Sequence, residues 1–147
     1  MEHYYKVDLE WKSDRKGEIS SPELDQKIEV ATPPEFPKGM EGIWSPEHLF
    51  TAAVNSCFMT TFLAIAENSK LEFQNLSCPA TGKLSKVDGK FAMSEVTLEP
   101  VLTIVNEEDR EKALKILEKA EKACLITNSL KAEVFLKPEI ELAGSLV

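Results

Sequence analysis

The sequence predicts an α+β fold. Three observations carry that expectation. Short alternating segments cluster ahead of Pro33, an uncharged run from Leu49 to Ala66 opens with helix-start signals, and an amphipathic helical pattern follows a second group of strand-like segments. Strands followed by helices, without regular alternation, exclude a parallel doubly wound sheet.

The elements follow in chain order. Tyr4 to Trp11 alternates as a strand does, and Ser13 to Gly17 is a turn. Gly17 to Ser20 and Lys27 to Thr32 continue as strands, which makes an antiparallel meander. Pro33, Pro34, Pro37, Gly39 and Gly42 mark an irregular loop. Ser45 is a good N-cap, Pro46 suits the first helical position, and Glu47 places negative charge at the positive helix end, so a helix runs from there to about Asn68. Apolar segments at Leu71 to Leu84 and Phe91 to Val105 flank Asp88-Gly89, a hairpin signal. Asn106, Glu107, Glu108 and Asp109 start a second helix, with Leu114, Leu117, Glu121 and Cys124 on one stripe that Ile116, Ala120 and Ala123 broaden. Ala132 to Leu142 reads as a strand broken by Pro138, hence an edge or a strand that ends near there.

At 147 residues the chain fits one domain, 1–147, large enough to bury a core without disulfide staples. Twenty-five acidic against 17 basic residues, net charge −8, disfavour nucleic acid and anionic membranes as partners. The Leu49 to Ala66 run reaches the roughly 18 residues a membrane span needs. Thr51, Asn55, Ser56, Thr60 and Thr61 interrupt it and no Lys or Arg cluster flanks it, so a buried helix is the expectation. The N-terminus lacks a basic segment followed by an apolar run, which points to a cytoplasmic protein. Three widely spaced cysteines, Cys57, Cys78 and Cys124, suit neither a secreted disulfide framework nor a zinc site, and no bound cofactor or metal is expected.

Cys57 and Cys124 lie on the two helical patterns, which suggests thiol redox chemistry, although a buried cysteine is often only a small hydrophobe. A reactive thiol needs a lowered pKa, and a nearby cation lowers it. Arg15, one of two arginines, is a candidate because it sits in a tight turn rather than a charge run. Glu47 precedes Cys57 by ten residues, about 15 Å along an unbroken helix. It reaches that thiol only from a second copy of the chain or across a broken helix. Its local role is as a helix N-terminal charge.

The segment Trp44-Ser-Pro-Glu-His-Leu-Phe-Thr-Ala-Ala-Val-Asn-Ser-Cys57-Phe resembles the first cysteine motif of the OsmC and Ohr family of organic hydroperoxide reductases. Lys119-Ala-Glu-Lys-Ala-Cys124-Leu-Ile-Thr-Asn128-Ser-Leu is similar to that family's second cysteine helix. Arg15 in its turn and Glu47 in Pro-Glu-x-Leu-Phe extend the resemblance over nearly the whole chain. Leu125 stands where many members carry Pro, and Pro33 to Gly42 replaces the glycine-rich loop of Ohr, which favours an OsmC-like branch.

The resemblance implies antiparallel sheets packed around two central helices in an intertwined homodimer with active sites at its interface. It implies a peroxidatic Cys57, a resolving Cys124 that closes an intramolecular disulfide with it, and an Arg15 oriented by Glu47. The substrate would be an organic hydroperoxide and, as an extension, hydrogen peroxide, with Phe50, Phe58, Phe62 and Ile126 lining its pocket. The reductant would be an external dithiol, in the Ohr branch dihydrolipoamide or a lipoylated protein. The alternative is a stress-associated or ligand-binding protein that keeps the fold with little peroxidase activity.

Overall fold

The computed structural model describes residues 1–144, and the chain divides into two compact units, Met1–Leu49 and Phe50–Val147. The first unit is the expected meander. Strands β1 (Asp8–Ser13), β2 (Lys16–Ser21) and β3 (Leu24–Ala31) form one antiparallel sheet in the order β1-β2-β3. Asp14 and Arg15 make the two-residue turn between β1 and β2, with Asp14 at φ 49° and the Trp11 indole N–H donating to the Asp14 carbonyl at 3.0 Å. Arg15 therefore stands at a hairpin tip. The loop after β3 folds on itself through Phe36 N–H to Pro33 O at 3.1 Å and Gly39 N–H to Phe36 O at 2.9 Å. A Cβ on Gly39 would collide with the Pro33 carbonyl, which explains a glycine there.

Helix α1 (Pro46–Asn68) starts where Ser45 predicts. The Ser45 hydroxyl accepts the His48 backbone N–H at 3.1 Å, the N-cap bond. The helix ends in a Schellman motif. Leu71 N–H reaches Ala66 O at 2.9 Å and Lys70 N–H reaches Glu67 O at 3.1 Å, while Lys70 takes φ 55°. By length and composition α1 is apolar enough to cross a membrane. One stripe of it, Val54, Phe58, Phe62 and Ala66, lies enclosed in the core of the second unit. Met59 and Leu63, on another face, are exposed.

Prolines divide the remaining strands between two sheets. Pro79 separates β4 (Phe73–Ser77) from β5 (Ala80–Val87), Pro100 separates β6 (Lys90–Leu98) from β7 (Val101–Ile104), and Pro138 separates β8 (Glu133–Leu136) from β9 (Glu139–Leu142). Each proline lacks the N–H that would continue a ladder. The result is one sheet of order β4-β7-β9 and another of order β5-β6-β8. The Asp88-Gly89 hairpin forms as expected, both residues at positive φ, 52° and 79°. The apolar segments 71–84 and 91–105, read above as single runs, thus each contribute to two sheets.

A 3₁₀ turn, Glu107–Asp109, leads into α2 (Arg110–Ala123). Arg110 clamps that turn with two bonds to the Glu107 carboxylate, 2.7 and 3.0 Å, and a third to Ile140 O at 3.0 Å. Helix α2 is the crossover that a parallel connection requires, so β8 and β9 run parallel to β6 and β7 at the edges of otherwise antiparallel sheets. Its buried face is Ala113, Ile116, Leu117 and Ala120, rotated from the predicted stripe: Leu114 is 37% exposed. Ala113, Ile116, Leu117 and Ala120 join Phe58, Phe62, Leu98 and Leu102 in one core cluster.

Candidate active site

Cys57 is partly exposed midway along α1, and Cys124 is wholly buried. Cys124 occupies a break in the helix: it takes an extended conformation, φ −65° and ψ 116°, between α2 and the single turn α3 (Leu125–Asn128). That turn is closed by Asn128 N–H to Cys124 O at 3.0 Å. The break leaves the first amides of α3 without helical acceptors and presents two of them to the Cys57 sulfur.

The two thiols are neighbours with opposite proton preferences. Burial opposes ionisation of Cys57, but donation from the Cys124 thiol, the Ile126 N–H, the Thr61 hydroxyl and the Leu125 N–H outweighs it and lowers its pKa. The Thr61 hydroxyl is one helical turn along α1, with its oxygen 3.9 Å from the sulfur. For Cys124 burial raises the pKa, and the Cys57 sulfur raises it further; Thr127 acts in the opposite direction. Of the two thiols, Cys57 ionises the more readily and Cys124 holds its proton the longer.

The remaining site residues are distributed as follows. Arg15 lines an apolar hollow of about 330 Å³ in the first unit with Leu9, Trp11, Val30, Ala31 and Pro46. Glu47 lies on the first turn of α1, which runs unbroken to Cys57 and beyond. Phe58 and Phe62 are fully buried core, and Phe50 and Ile126 are partly buried at its margin. Of the four, only Phe50 and Ile126 present surface to a molecule arriving from solvent. His48 sits beside Ser45, its Nδ1 2.7 Å from the hydroxyl, and packs edge-on to Trp44. No group of three or more His, Cys, Asp or Glu side chains converges as a metal site among the described residues.

Sequence reasoning passed over Thr61, Thr127 and the Leu125 and Ile126 amides. The spacing held a signal for the threonines: each follows a cysteine by one helical turn, at i+4 and i+3. The amides had none, because their exposure depends on the break at Cys124. Cys78 lies apart from the pair, and burial pushes its thiol up to about 11.

Comparison with known proteins gives a consistent result. The family model described as OsmC-like protein matches residues 39–139. An uncharacterized protein of Bacillus subtilis, YmaD, is 26% identical over 97% of this chain and 98% of its own length. Among solved structures, an OsmC-like protein of unknown function from Vibrio cholerae superimposes with a TM-score of 0.83 at 25% identity, over 93% of this chain and 99% of that one. The organic hydroperoxide resistance protein OsmC of Legionella pneumophila gives 0.72 at 23% identity, covering 95% and 99% of the two chains. OhrB of Bacillus subtilis, an organic hydroperoxide resistance protein, gives 0.69 at 24%, covering 95% and 98%.

Proposed function

This chain belongs to the OsmC-like protein family, and from that premise we propose that it is a cysteine-based thiol peroxidase that reduces organic hydroperoxides. The observation that carries the reading is the pairing of a Cys57 thiol biased toward its thiolate with a protonated Cys124 beside it. A thiolate is the nucleophile that peroxide chemistry needs, and a protonated neighbour is the state in which a resolving thiol waits.

In this reading the Cys57 thiolate attacks the distal oxygen of a hydroperoxide. The O–O bond breaks, the sulfur is oxidised to a sulfenic acid, and the alkoxide leaves with a proton from solvent as an alcohol. Cys124 then attacks the Cys57 sulfur; the S–S bond forms, the S–O bond breaks, and hydroxide takes the Cys124 proton and leaves as water. An external dithiol such as dihydrolipoamide or a lipoylated protein reduces the disulfide by exchange.

Arg15 is assigned to the charge developing on the peroxide oxygens and Glu47 to orienting its guanidinium. The hollow beside Arg15 is apolar enough for an organic tail. A homodimer supports these roles physically. The unbroken α1 favours a Glu47 that serves a second chain. Strand β1 carries Leu9 and Trp11 in solvent, Trp11 at 72% exposure, an apolar surface that a second copy would cover. The cytoplasm, where thiols rest reduced, is the compartment this chemistry suits.

The test is stopped-flow oxidation of the reduced protein by cumene hydroperoxide and by hydrogen peroxide, with Cys57→Ser and Cys124→Ser alongside. Consumption of one thiol pair per peroxide is expected, with none in Cys57→Ser and a trapped sulfenic acid in Cys124→Ser. Absence of thiol loss under excess peroxide would leave an OsmC-like fold without peroxidase activity.

A further inference from the structure

Resting on the peroxidase reading, we propose that the lysine-lined groove between α1 and α2 is the docking surface for the reductant, an acidic protein that carries the reducing dithiol. The groove is a hollow of about 650 Å³ bordered by Ile65 and Ser69 at the end of α1 and by Lys112, Lys115, Lys119 and Lys122 of α2. The four lysines recur at intervals of three, four and three residues, so they share one face of the helix, and all are exposed. Among the described residues none of them forms an ion pair. Glu108, Glu111 and Glu118 border the same hollow. At about 100° per residue, however, the lysines fill the sector of α2 between the buried Ile116 and the carboxylates of Glu111 and Glu118, which puts the lysine row on the core side of both. Glu108 belongs to the 3₁₀ turn, at the end of the groove away from Cys124.

Both walls lead to the reactive sulfurs. Cys57, Thr61, Ile65 and Ser69 follow one another at four-residue steps, a partly exposed stripe about 18 Å long whose helical register persists to Ser69, where its N–H bonds Ile65 O at 2.9 Å. The lysine row ends at Lys122, two residues before Cys124. With a net charge of −8, the chain repels an acidic partner from most of its surface and admits it where unpaired cations gather. An acidic carrier docked there is oriented with its dithiol toward the Cys57 end of the stripe. One thiolate of the dithiol attacks Cys57, the more accessible sulfur. A mixed disulfide forms, the Cys57–Cys124 bond breaks, and Cys124 leaves as a thiolate. The second thiol of the carrier then closes the carrier's own disulfide and releases Cys57. The dithiol is oxidised, both protein thiols are regained, and the two protons come from the dithiol.

The test reduces a preformed disulfide in a Cys78→Ser background. Diamide joins Cys57 to Cys124, and reduction is followed by alkylating the released thiols and weighing the protein. The reductant is a peptide that carries a dithiol on a run of glutamates, compared with the same peptide built on glutamines. At low ionic strength the glutamate peptide is expected to reduce the parent roughly tenfold faster than its glutamine counterpart. That preference should fall toward one at about 1 M salt, where the Debye length is about 3 Å. It should fall likewise in the fourfold variant Lys112→Gln, Lys115→Gln, Lys119→Gln, Lys122→Gln. Lys119→Gln alone removes one exposed charge and should lower the preference by about twofold, which decides the matter if the fourfold variant does not fold.

Absence of any preference in the parent overturns the docking surface, as does a preference that survives loss of the lysines. A protein in which neither diamide nor cumene hydroperoxide joins Cys57 to Cys124 overturns the peroxidase reading, and the docking role with it.

Discussion

Cys57 and Cys124 face each other with opposed ionisation: the Cys57 pKa is lowered, against its own burial, in part by the Cys124 thiol, while burial and the Cys57 sulfur hold the Cys124 pKa up. Of the two sulfurs, Cys57 is the one more readily ionised. The asymmetry arises from position. Cys57 sits where a hydroxyl and two amides converge, and Cys124 sits in the core.

That asymmetry predicts an order of alkylation. Only the thiolate reacts, so each site gains reactivity as pH rises through its own pKa. With limiting iodoacetamide, Cys57 is expected to react first and at the lowest pH, ahead of both Cys124 and Cys78, whose pKa values burial raises. Peptide mapping of modified protein across a pH series reads the order directly, and reaction at Cys124 before Cys57 would contradict the charge assignment.

Removing donors should raise the Cys57 pKa. Thr61→Val deletes the hydroxyl 3.9 Å from the sulfur and should slow Cys57 alkylation at neutral pH several-fold, with Thr61→Ser recovering it. Leu125→Pro deletes an amide donor without breaking the backbone, because Cys124 is already extended at ψ 116° and Leu125 is the first residue of its helical turn. It should also slow Cys57 alkylation while leaving the melting temperature close to that of the parent.

Much of this arrangement is legible in the chain because its signals are local. Ser45-Pro46-Glu47 marks the start of α1, Asp88-Gly89 marks a hairpin, and Pro138 divides the last strand, each acting on its nearest neighbours. Pro79 and Pro100 carry the same signal as Pro138 and separate strands in the same way. What is not local is less legible. The parallel seating of β8 and β9 depends on the crossover through α2, and the buried face of α2, Ala113, Ile116, Leu117 and Ala120, is set by the core cluster it joins. The donors around Cys57 lie on two elements far apart in sequence, so only the folded unit brings them together.

The C-terminus of α1 offers a stabilising change. Lys70 holds φ 55° at the position a Schellman motif reserves for glycine, with the bonds from Lys70 and Leu71 already formed. A left-handed conformation costs a non-glycine residue roughly 1–2 kcal/mol, and glycine's greater freedom in the unfolded chain returns part of that. Lys70→Gly should therefore stabilise by about 0.5–1 kcal/mol in urea unfolding. A loss of stability would show that the Lys70 side chain contributes more than its backbone strain costs.

Cys78 contributes to the loss of stability at alkaline pH. Its pKa is raised to about 11 from 9.0, chiefly by burial, with the charge of Glu99 adding to the effect and a backbone bond at Glu99 opposing it. A thiol whose folded pKa lies above its unfolded value stabilises the fold fully below the unfolded value, because both states are then protonated alike. As pH rises past 9.0 the unfolded chain releases the proton while the folded one retains it, so stability falls until the folded thiol ionises near 11. Cys78→Ala removes that proton from both states. The variant should lose less stability than the parent between about pH 9 and 11 in denaturant titrations, with any cost of the smaller side chain appearing equally at neutral pH. Parallel stability curves for the two proteins across that window would mean that Cys78 ionises as readily folded as unfolded.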